Sequence, residues 1–109
     1  MSMNYKVVIL SEAEKDILDI YKYILLEDSP NNTNNILEKI EETCLAFQNL
    51  PERGHVPPEL DRIGMTVYRE IHCKPYRVIY EIDRKQVFVH CILDGRRSIQ
   101  QLLERRLLR

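Results

Sequence analysis

Residues 66–93 read TVYREIHCKPYRVIYEIDRKQVFVHCIL. The stretch divides into three runs rich in Val, Ile and Tyr, which are Thr66–Cys73, Tyr76–Asp83 and Val87–Leu93. Runs of this composition between short polar breaks are typical of β-strands. The breaks are Lys74-Pro75 and Arg84-Lys85-Gln86, and connections this short make consecutive strands antiparallel neighbours. The stretch therefore predicts three consecutive antiparallel strands.

The residues before this stretch predict one strand and two helices. Tyr5–Leu10 is a nearly continuous apolar run, which suits a strand covered on both faces or placed centrally in a sheet. Ser11-Glu12-Ala13-Glu14 has the spacing of a capping box and predicts a helix that ends near Glu27. Ser29-Pro30 predicts the start of a second helix, which Pro51 stops. A link this short turns the two helices back on each other as an antiparallel hairpin.

One apolar stripe runs along each predicted helix at the 3.6-residue period. The stripe residues are Ala13, Ile17, Ile20, Tyr21, Ile24 and Leu25 in the first helix and Ile36, Leu37, Ile40, Cys44, Phe47 and Leu50 in the second. Because each helix has one face to bury, the hairpin needs a sheet to cover. The following Pro51–Gly64 segment carries three of the five prolines and predicts a surface loop. Within it, His55-Val56-Pro57-Pro58 is either a target-contacting element or a plain connection.

The end of the chain completes the predicted fold. Ser98 with Gln101 has capping-box spacing and predicts a C-terminal helix. The fold class is α+β, with an N-terminal strand, an antiparallel helical hairpin on a mostly antiparallel four-stranded sheet, and a short C-terminal helix. The chain has 109 residues, fewer than the roughly 150 allowed per typical domain, so a single domain over 1–109 is expected.

Composition excludes several classes of protein. The chain is 44% hydrophobic and 30% charged, which is the balance of a folded globular domain and not of a disordered one. No apolar run approaches the roughly 18 residues of a membrane span, and no signal-peptide layout opens the chain, so a cytoplasmic protein is expected. Cys44, Cys73 and Cys91 form no CxxC pair and are expected to be buried, reduced thiols. No zinc-ligand spacing is evident, and neither a metal nor a cofactor is expected.

The net charge of −1 conceals an uneven distribution. Residues 1–50 hold four Lys and nine Asp or Glu, giving −5, whereas residues 51–109 hold twelve Lys or Arg and eight Asp or Glu, giving +4. All ten arginines lie in the second half, so an anionic partner is expected to meet that half. The near-neutral total argues against strong nonspecific binding of nucleic acid.

Period-2 alternation divides the middle strand of the trio into two faces. Val78, Tyr80 and Ile82 are expected under the helices, and Arg77 on the opposite face, predicted to be free of helices. The residues that share the face of Arg77 are Ile79, Glu81 and, according to register, some of Arg69, Arg96 and Arg97. These guanidinium groups form either a docking surface for an anion or a protein, or a solvated face of weak ion pairs. The ion-pair partners in that second case are Glu70, Glu81 and Asp94.

Four motifs resemble the RelE/ParE superfamily of type II toxin–antitoxin toxins. They are Leu50-Pro51-x-x-Gly54, Tyr68-Arg69-Glu70-Ile71, Pro75-Tyr76-Arg77-Val78-Ile79-Tyr80-Glu81-Ile82 and Ile92-Leu93-Asp94-Gly95-Arg96-Arg97. The resemblance spans nearly the whole chain. The most specific part is the strand around Arg77 followed by Gly-Arg-Arg.

RelE-like members enter the ribosomal A site and cut mRNA with basic side chains, and the resemblance matches two of these to Arg77 and Arg97. The tyrosine that such members carry in the terminal helix corresponds here to Leu103. Their paired lysines are replaced by the Arg69–Ile71 region, with only Lys74 nearby. Cleavage of RNA also needs an acid–base group. The candidates for that group are His72, His90 and Glu81.

ParE-like members lack the ribonuclease residues and poison DNA gyrase by protein–protein contact, and this branch fits the chain better. The resemblance therefore implies a non-catalytic, growth-inhibiting toxin of a plasmid-stabilisation system, and a RelE-like mRNA endoribonuclease using Arg77, Arg97 and Arg69 is the alternative. An inert module that only holds its antitoxin is a third hypothesis. A homodimer and a hetero-oligomer with the antitoxin both stay open.

The resemblance also implies a cognate antitoxin, expected on the arginine-bearing face and in the groove beside the helical hairpin. The residues predicted to bind the antitoxin or the target are Arg69, Arg77, Glu81, Arg96, Arg97, Arg105 and Arg106. The last two belong to the tail Arg105-Arg106-Leu107-Leu108-Arg109, which is either a docking element or a solvated basic end.

Overall fold

The computed structural model describes residues 4–27 and 30–107, with the backbone alone for 30–33. The elements are β1 (Lys6–Ile9), α1 (Ser11–Glu27), α2 (Pro30–Ala46), a 3-10 turn (Pro51–Arg53), α3 (Pro58–Asp61), β2 (Tyr68–Cys73), β3 (Tyr76–Asp83), β4 (Gln86–Asp94) and α4 (Ile99–Leu107). Among these residues, no helix combines the length and the apolar composition needed to cross a bilayer.

The four strands form one sheet in the order β1-β4-β3-β2. β2, β3 and β4 pair antiparallel, as their short connections predict, and β1 pairs parallel with β4. The parallel pairing follows from the connection between these two strands, which runs through the helical hairpin and the antiparallel strands. The predicted mostly antiparallel α+β sheet is therefore confirmed. The alternative that the first strand lies centrally is wrong, because β1 is an edge strand.

The helical hairpin covers one face of the sheet, as predicted. Its buried residues are Ala13, Ile20 and Ile24 of α1 and Ile40 and Cys44 of α2, with Phe47 just beyond. They pack on Val78, Tyr80, Val87 and Val89, and the rings of Phe47 and Tyr80 stack with centroids 4.1 Å apart. The predicted stripes include three residues that are not buried, because Tyr21, Leu25 and Leu50 are exposed.

The other face of the sheet is not free of helices, and this prediction is wrong. α3 and α4 cover it, and the second core consists of Leu60, Ile79, Cys91, Leu93, Ile99 and Leu103. The physical reason is that Ile99 and Leu103, four residues apart in α4, form an apolar stripe that must be buried. Ile79 and Leu93 offer it an apolar sheet surface. A sheet of this composition needs cover on both faces.

Local hydrogen bonds adjust the predicted helix ends. The N–H of Glu14 donates to the carbonyl of Leu10, which makes Leu10 and not Ser11 the capping residue of α1. The N–H of Leu102 donates to the carbonyl of Ser98, so Ser98 is at the cap position predicted for α4. The predicted cap Ser29 lies outside the described residues. α2 ends at Ala46, before Pro51.

Candidate functional site

Arg77 lies in an enclosed ion-pair cluster and not on an open surface. Its side chain is only 12% exposed. Its NH1 and NH2 groups donate to the two carboxylate oxygens of Glu59 at 2.8 and 2.7 Å, and its Nε donates to Oε1 of Glu70. The bidentate pair with Glu59 uses the planar fork that only arginine provides. Arg77 is therefore not on an open, helix-free face, although its predicted docking role assumed such a face.

Two histidines surround the second carboxylate of this cluster. Glu70 is 1% exposed, whereas His55 and His72 are 61% and 50% exposed. The two histidines lie at the mouth of a cavity of about 470 Å³. His55 Nε2 lies 3.0 Å from Glu70 Oε2, and His72 Nε2 lies 3.5 Å from Glu70 Oε1. Glu70 is therefore a buried carboxylate that connects Arg77 on its inner side with two imidazoles on its solvent side.

The backbone fixes this arrangement through the loop before β2. A Cβ at Gly54 would lie 2.5 Å from both the Glu70 carbonyl oxygen and the Tyr80 hydroxyl, so this position requires glycine. The Tyr80 hydroxyl accepts from the Gly54 N–H at 3.0 Å and donates to the Pro51 carbonyl at 2.7 Å. The next residue, His55, exchanges both backbone hydrogen bonds with Glu70. The loop is thus joined to β2 like a short extra strand.

The sheet register supplies the remaining geometry. His72 is two residues after Glu70 on β2 and therefore projects from the same face. In the antiparallel register, His72 lies opposite Arg77. His55, Glu70, His72 and Arg77 consequently occupy neighbouring positions on one face, the face that α3 and α4 cover.

Electrostatics favour the charged forms of the ion pair. Hydrogen bonding to Arg77 lowers the pKa of Glu59, against the opposing effect of burial. Hydrogen bonds to Glu59 and Glu70 raise the pKa of Arg77, whereas burial acts to lower it. Two carboxylates, those of Glu59 and Glu70, therefore share one guanidinium.

A cavity of about 470 Å³ opens above this cluster. Its lining includes the two histidines, the two carboxylates and Arg77, together with Lys74, Pro75 and Arg96. Gly95 brings the end of β4 close to it, since a Cβ there would lie 3.0 Å from the Pro75 carbonyl and 3.2 Å from Arg77 Cδ. The glycine of the Gly-Arg-Arg motif thus permits close packing against Arg77.

A second cavity, of about 560 Å³, lies between α1, the end of β4 and α4. Asp16, Asp19, Asp94, Arg97 and Arg106 line it among apolar residues that include Tyr23 and Tyr76. Arg106 donates to both carboxylate oxygens of Asp16, at 3.1 and 2.9 Å. The hydrogen bonds to Asp16 raise the pKa of Arg106. This pair ties α4 to α1 across the end of the sheet.

The structure separates the predicted arginines. Arg77 and Arg97 line different cavities, so the expected shared surface of projecting guanidinium groups is wrong. Arg97 is exposed, and its side chain makes no hydrogen bond or close ion pair with any residue that the structure describes. Arg96 is exposed and binds both carboxylate oxygens of Asp94, at 2.9 and 2.8 Å. These bonds lower the pKa of Asp94.

The other predicted site residues also have partners. Arg69 donates to the Gly54 carbonyl at 2.9 Å and holds the loop. Glu81 contacts His90 at 2.7 Å and not an arginine. The alternative of a solvated face of weak ion pairs therefore fits Asp94, which pairs with the exposed Arg96, whereas Glu70 pairs with Arg77 in a buried position and Glu81 pairs with no arginine. Arg105 is exposed on α4. The roles of all these residues in binding stay predictions.

Sequence reasoning missed Glu59, His55 and Asp16. Glu59 and His55 lie in the segment treated as a surface loop, which contains the 3-10 turn and α3 and is not a plain connection. The expectation that no metal-ligand cluster exists overlooked one signal, the Glu70-x-His72 spacing on a strand. Period 2 places those two side chains on one face, but nothing in the local pattern connects them to His55.

Thiol chemistry does not contribute to either cavity. Cys44, Cys73 and Cys91 are free and buried, as predicted. Burial raises the pKa of Cys44 to about 11 and that of Cys91 to about 12, so both are protonated at neutral pH. Protonated, enclosed thiols are poor nucleophiles and poor metal ligands.

Comparisons with known proteins identify the family and support the fold. The family model of the ParE toxin of type II toxin–antitoxin systems, parDE, matches residues 7–99. The fold is similar to the chromosomal ParDE toxin–antitoxin system from P. aeruginosa, at 16% identity and a TM-score of 0.68, over 84% of this chain and 96% of that one.

It is also similar to the RelBE2 toxin–antitoxin complex from Mycobacterium tuberculosis, at 19% identity and a TM-score of 0.61, over 84% of this chain and 92% of that one. At these identities the two structures support the fold alone. No curated protein sequence matches the chain significantly. Because the family model spans most of its length, the chain belongs to the ParE toxin family of type II toxin–antitoxin systems.

Proposed function

We propose that this chain is a growth-inhibiting toxin that acts in the cytoplasm by protein–protein contact on DNA gyrase. The observation that carries the proposal is the engagement of Arg77 by Glu59 and Glu70. A guanidinium that already binds two carboxylates is not available to a phosphate. Arg77 is the strand residue that the ribonuclease alternative needs most.

The terminal helix supports the same choice. Leu103, which stands where a RelE-like ribonuclease has its tyrosine, is fully buried in the second core. It offers no acid–base group to a substrate. His90, another acid–base candidate, is occupied by Glu81. A protein target requires none of these groups.

The surface best suited to a protein partner lies at the end of the sheet. Arg97 projects there beside the cavity of about 560 Å³, and Arg96 lies next to a smaller cavity of about 320 Å³ along the hairpin. α1 adds the exposed ring of Tyr23, which lines both cavities. Exposed apolar residues next to arginines are typical of protein interfaces.

A cognate antitoxin is the second proposed partner. Both similar solved structures are of toxin–antitoxin systems, and the family model describes the toxin of such a system. We expect an antitoxin segment with acidic and apolar residues on the same end of the sheet, with its carboxylates near Arg96 and Arg97. A segment that folds on binding can cover both cavities and stay degradable when free.

A gyrase supercoiling assay with the purified chain tests the proposal. Inhibition is expected for the wild type, and a weaker effect for the Arg96→Ala/Arg97→Ala variant. Arg84→Ala is the matched control, because Arg84 is an exposed arginine in the β3–β4 turn at the other end of β4. Normal supercoiling at every toxin concentration, while expression still arrests growth, contradicts gyrase as the target. Unimpaired growth on induction would instead indicate an inert antitoxin-binding module.

Ribosome-dependent mRNA cleavage is the second candidate, and one observation favours it. His55 and His72 contact Glu70, the partner of Arg77, and could provide the acid–base chemistry that RNA cleavage needs. Discrete transcript cuts in a translation reaction, lost in His72→Gln and kept in His90→Gln, would support this candidate over gyrase.

A further inference from the structure

We propose that His55, Glu70 and His72 form a binding site for a divalent transition-metal ion, for which zinc is the best-suited probe. The three residues each offer one ligand atom, and these atoms all lie within 4.8 Å of one another. This inference concerns a ligand that the proposed toxin activity does not require. It does not depend on gyrase as the target, whereas in the ribosome candidate the same two imidazoles would have to be free of metal to act as acid–base groups.

The buried carboxylate carries the argument. Glu70 Oε1 accepts from Arg77, but Oε2 is buried and receives no hydrogen bond from any residue that the structure describes. His55 Nε2 lies 3.0 Å from that oxygen but is not aligned to donate to it. A buried polar atom left without a partner costs about 1–3 kcal/mol, and a cation between the oxygen and the imidazole would remove that cost.

The spacing of the three ligands fits one ion. Ligands about 2.1 Å from a zinc ion and about 90–110° apart lie roughly 3.0–3.4 Å from each other. The observed separations are 3.0 Å from His55 Nε2 to Glu70 Oε2 and 3.5 Å from His72 Nε2 to Glu70 Oε1. These two distances go to different oxygens of Glu70, and the nitrogens of the two histidines lie within 4.8 Å of each other, so rotation of the two exposed imidazoles has to bring both nitrogens to one ion.

The surrounding residues are arranged as an outer shell. Arg77 fixes the orientation of Glu70 from the protein side and leaves Oε2 directed at the histidines. Glu59 holds Arg77 in turn. The backbone pairing of His55 with Glu70 fixes the backbone position of the third ligand before any ion binds. A site whose ligands are already positioned loses little entropy on binding.

The chemistry of the donors selects the metal class. Two imidazoles and one carboxylate suit zinc and its first-row neighbours, whereas magnesium and calcium prefer oxygen ligands alone. The two histidines are at the mouth of the cavity of about 470 Å³, so a further coordination position faces solvent. Lys74 also lines this cavity and is the one cation there without a carboxylate contact among the described side chains. Its flexible stem allows the ammonium group to stay in water.

Zinc binding by the full chain, purified without a histidine tag, tests the proposal. One-to-one binding is expected in competition with a chromogenic chelator, and cobalt is expected to give a visible absorption spectrum of a nitrogen- and oxygen-ligated ion. His55→Gln and His72→Gln should each weaken binding at least about tenfold, because even outer-shell changes cost about 10–100-fold. Both side chains are at least half exposed, so these variants are expected to fold.

His90→Gln is the control, since His90 is the third histidine of the chain and contacts Glu81 elsewhere. It should bind zinc as the wild type does. The proposal is overturned if the wild type shows no one-to-one binding, if the His55 and His72 variants bind zinc unchanged, or if His90→Gln loses as much affinity as they do. None of these readouts depends on toxicity, so the site and the proposed function can fail separately.

Discussion

Replacement of Arg77 by methionine tests whether this arginine stabilises the fold or serves a partner. The change keeps an unbranched side chain of similar length but removes all three hydrogen bonds to Glu59 and Glu70. Glu70, at 1% exposure, is then a buried carboxylate without its guanidinium partner. Removal of one partner from a buried ion pair costs about 3–5 kcal/mol.

A loss of this size is large for a domain whose total stability is about 5–15 kcal/mol. Urea unfolding of the purified variant, followed by circular dichroism, should give a free energy of unfolding lower by about 3–5 kcal/mol. Arg96→Met is the matched control. Arg96 binds Asp94 with equally good geometry but is 64% exposed, so its loss should leave the urea midpoint close to that of the wild type.

A double-mutant cycle separates the ion pair from simple loss of packing. In the Arg77→Met background, Glu70→Gln removes the stranded charge and should recover part of the stability. The coupling between the two positions should fall in the range of about 0.5–3 kcal/mol that contacting residues show. The reasoning is refuted if Arg77→Met unfolds at the wild-type urea midpoint, or if the two substitutions are additive.

Three further predictions follow from local contacts. Gly54→Ala should lower the free energy of unfolding by about 1–3 kcal/mol, because a Cβ at this position would lie 2.5 Å from the Glu70 carbonyl oxygen and the Tyr80 hydroxyl. Thermal or urea melts measure this loss, and an unchanged melt would contradict the close approach. Because Arg77 lowers the pKa of Glu59 from 4.5, the pair stabilises the fold above that pH and the gain is lost as the pH falls through the folded-state value. In Glu59→Gln, the free energy of unfolding should therefore decrease less steeply below about pH 4.5 than it does in the wild type. An equally steep decrease in both proteins would contradict this prediction. Cys44 and Cys91, with pKa values of about 11 and 12, should react with a thiol reagent at neutral pH only after unfolding, and rapid labelling of the native chain would contradict their burial.

The strands and the hairpin were predictable because their signals are local. Tyr76–Asp83 begins and ends where its composition and flanking breaks predict, and Val78 and Tyr80 lie under the helices as alternation requires. The position of α4 was not predictable in this way. Its apolar stripe indicates that Ile99 and Leu103 are buried, but not which sheet face receives them, because that choice depends on the path of the chain after β4.

The same limit explains the error about Arg77. Alternation correctly places Arg77 opposite Val78, but whether that face meets water depends on α3, which comes from a proline-rich segment without a periodic signal. Its partner Glu59 is separated from it by 18 residues in sequence. Local patterns thus predict the direction of a side chain along a strand, whereas its environment depends on contacts distant in sequence.

Coverage of both sheet faces restricts where this toxin can meet a partner. A small domain gains stability mainly from the apolar surface that it buries, and here both faces of β3 and β4 are used for that purpose. An arginine inside such a face is enclosed and needs carboxylates of its own, as Arg77 has. Arginine side chains that are exposed to a partner therefore lie where the sheet ends, and among the predicted residues Arg96 and Arg97 are at that position. Any contact with a gyrase subunit or an antitoxin that depends on guanidinium groups should for this reason involve the Gly95-Arg96-Arg97 turn before it involves the strand that precedes it.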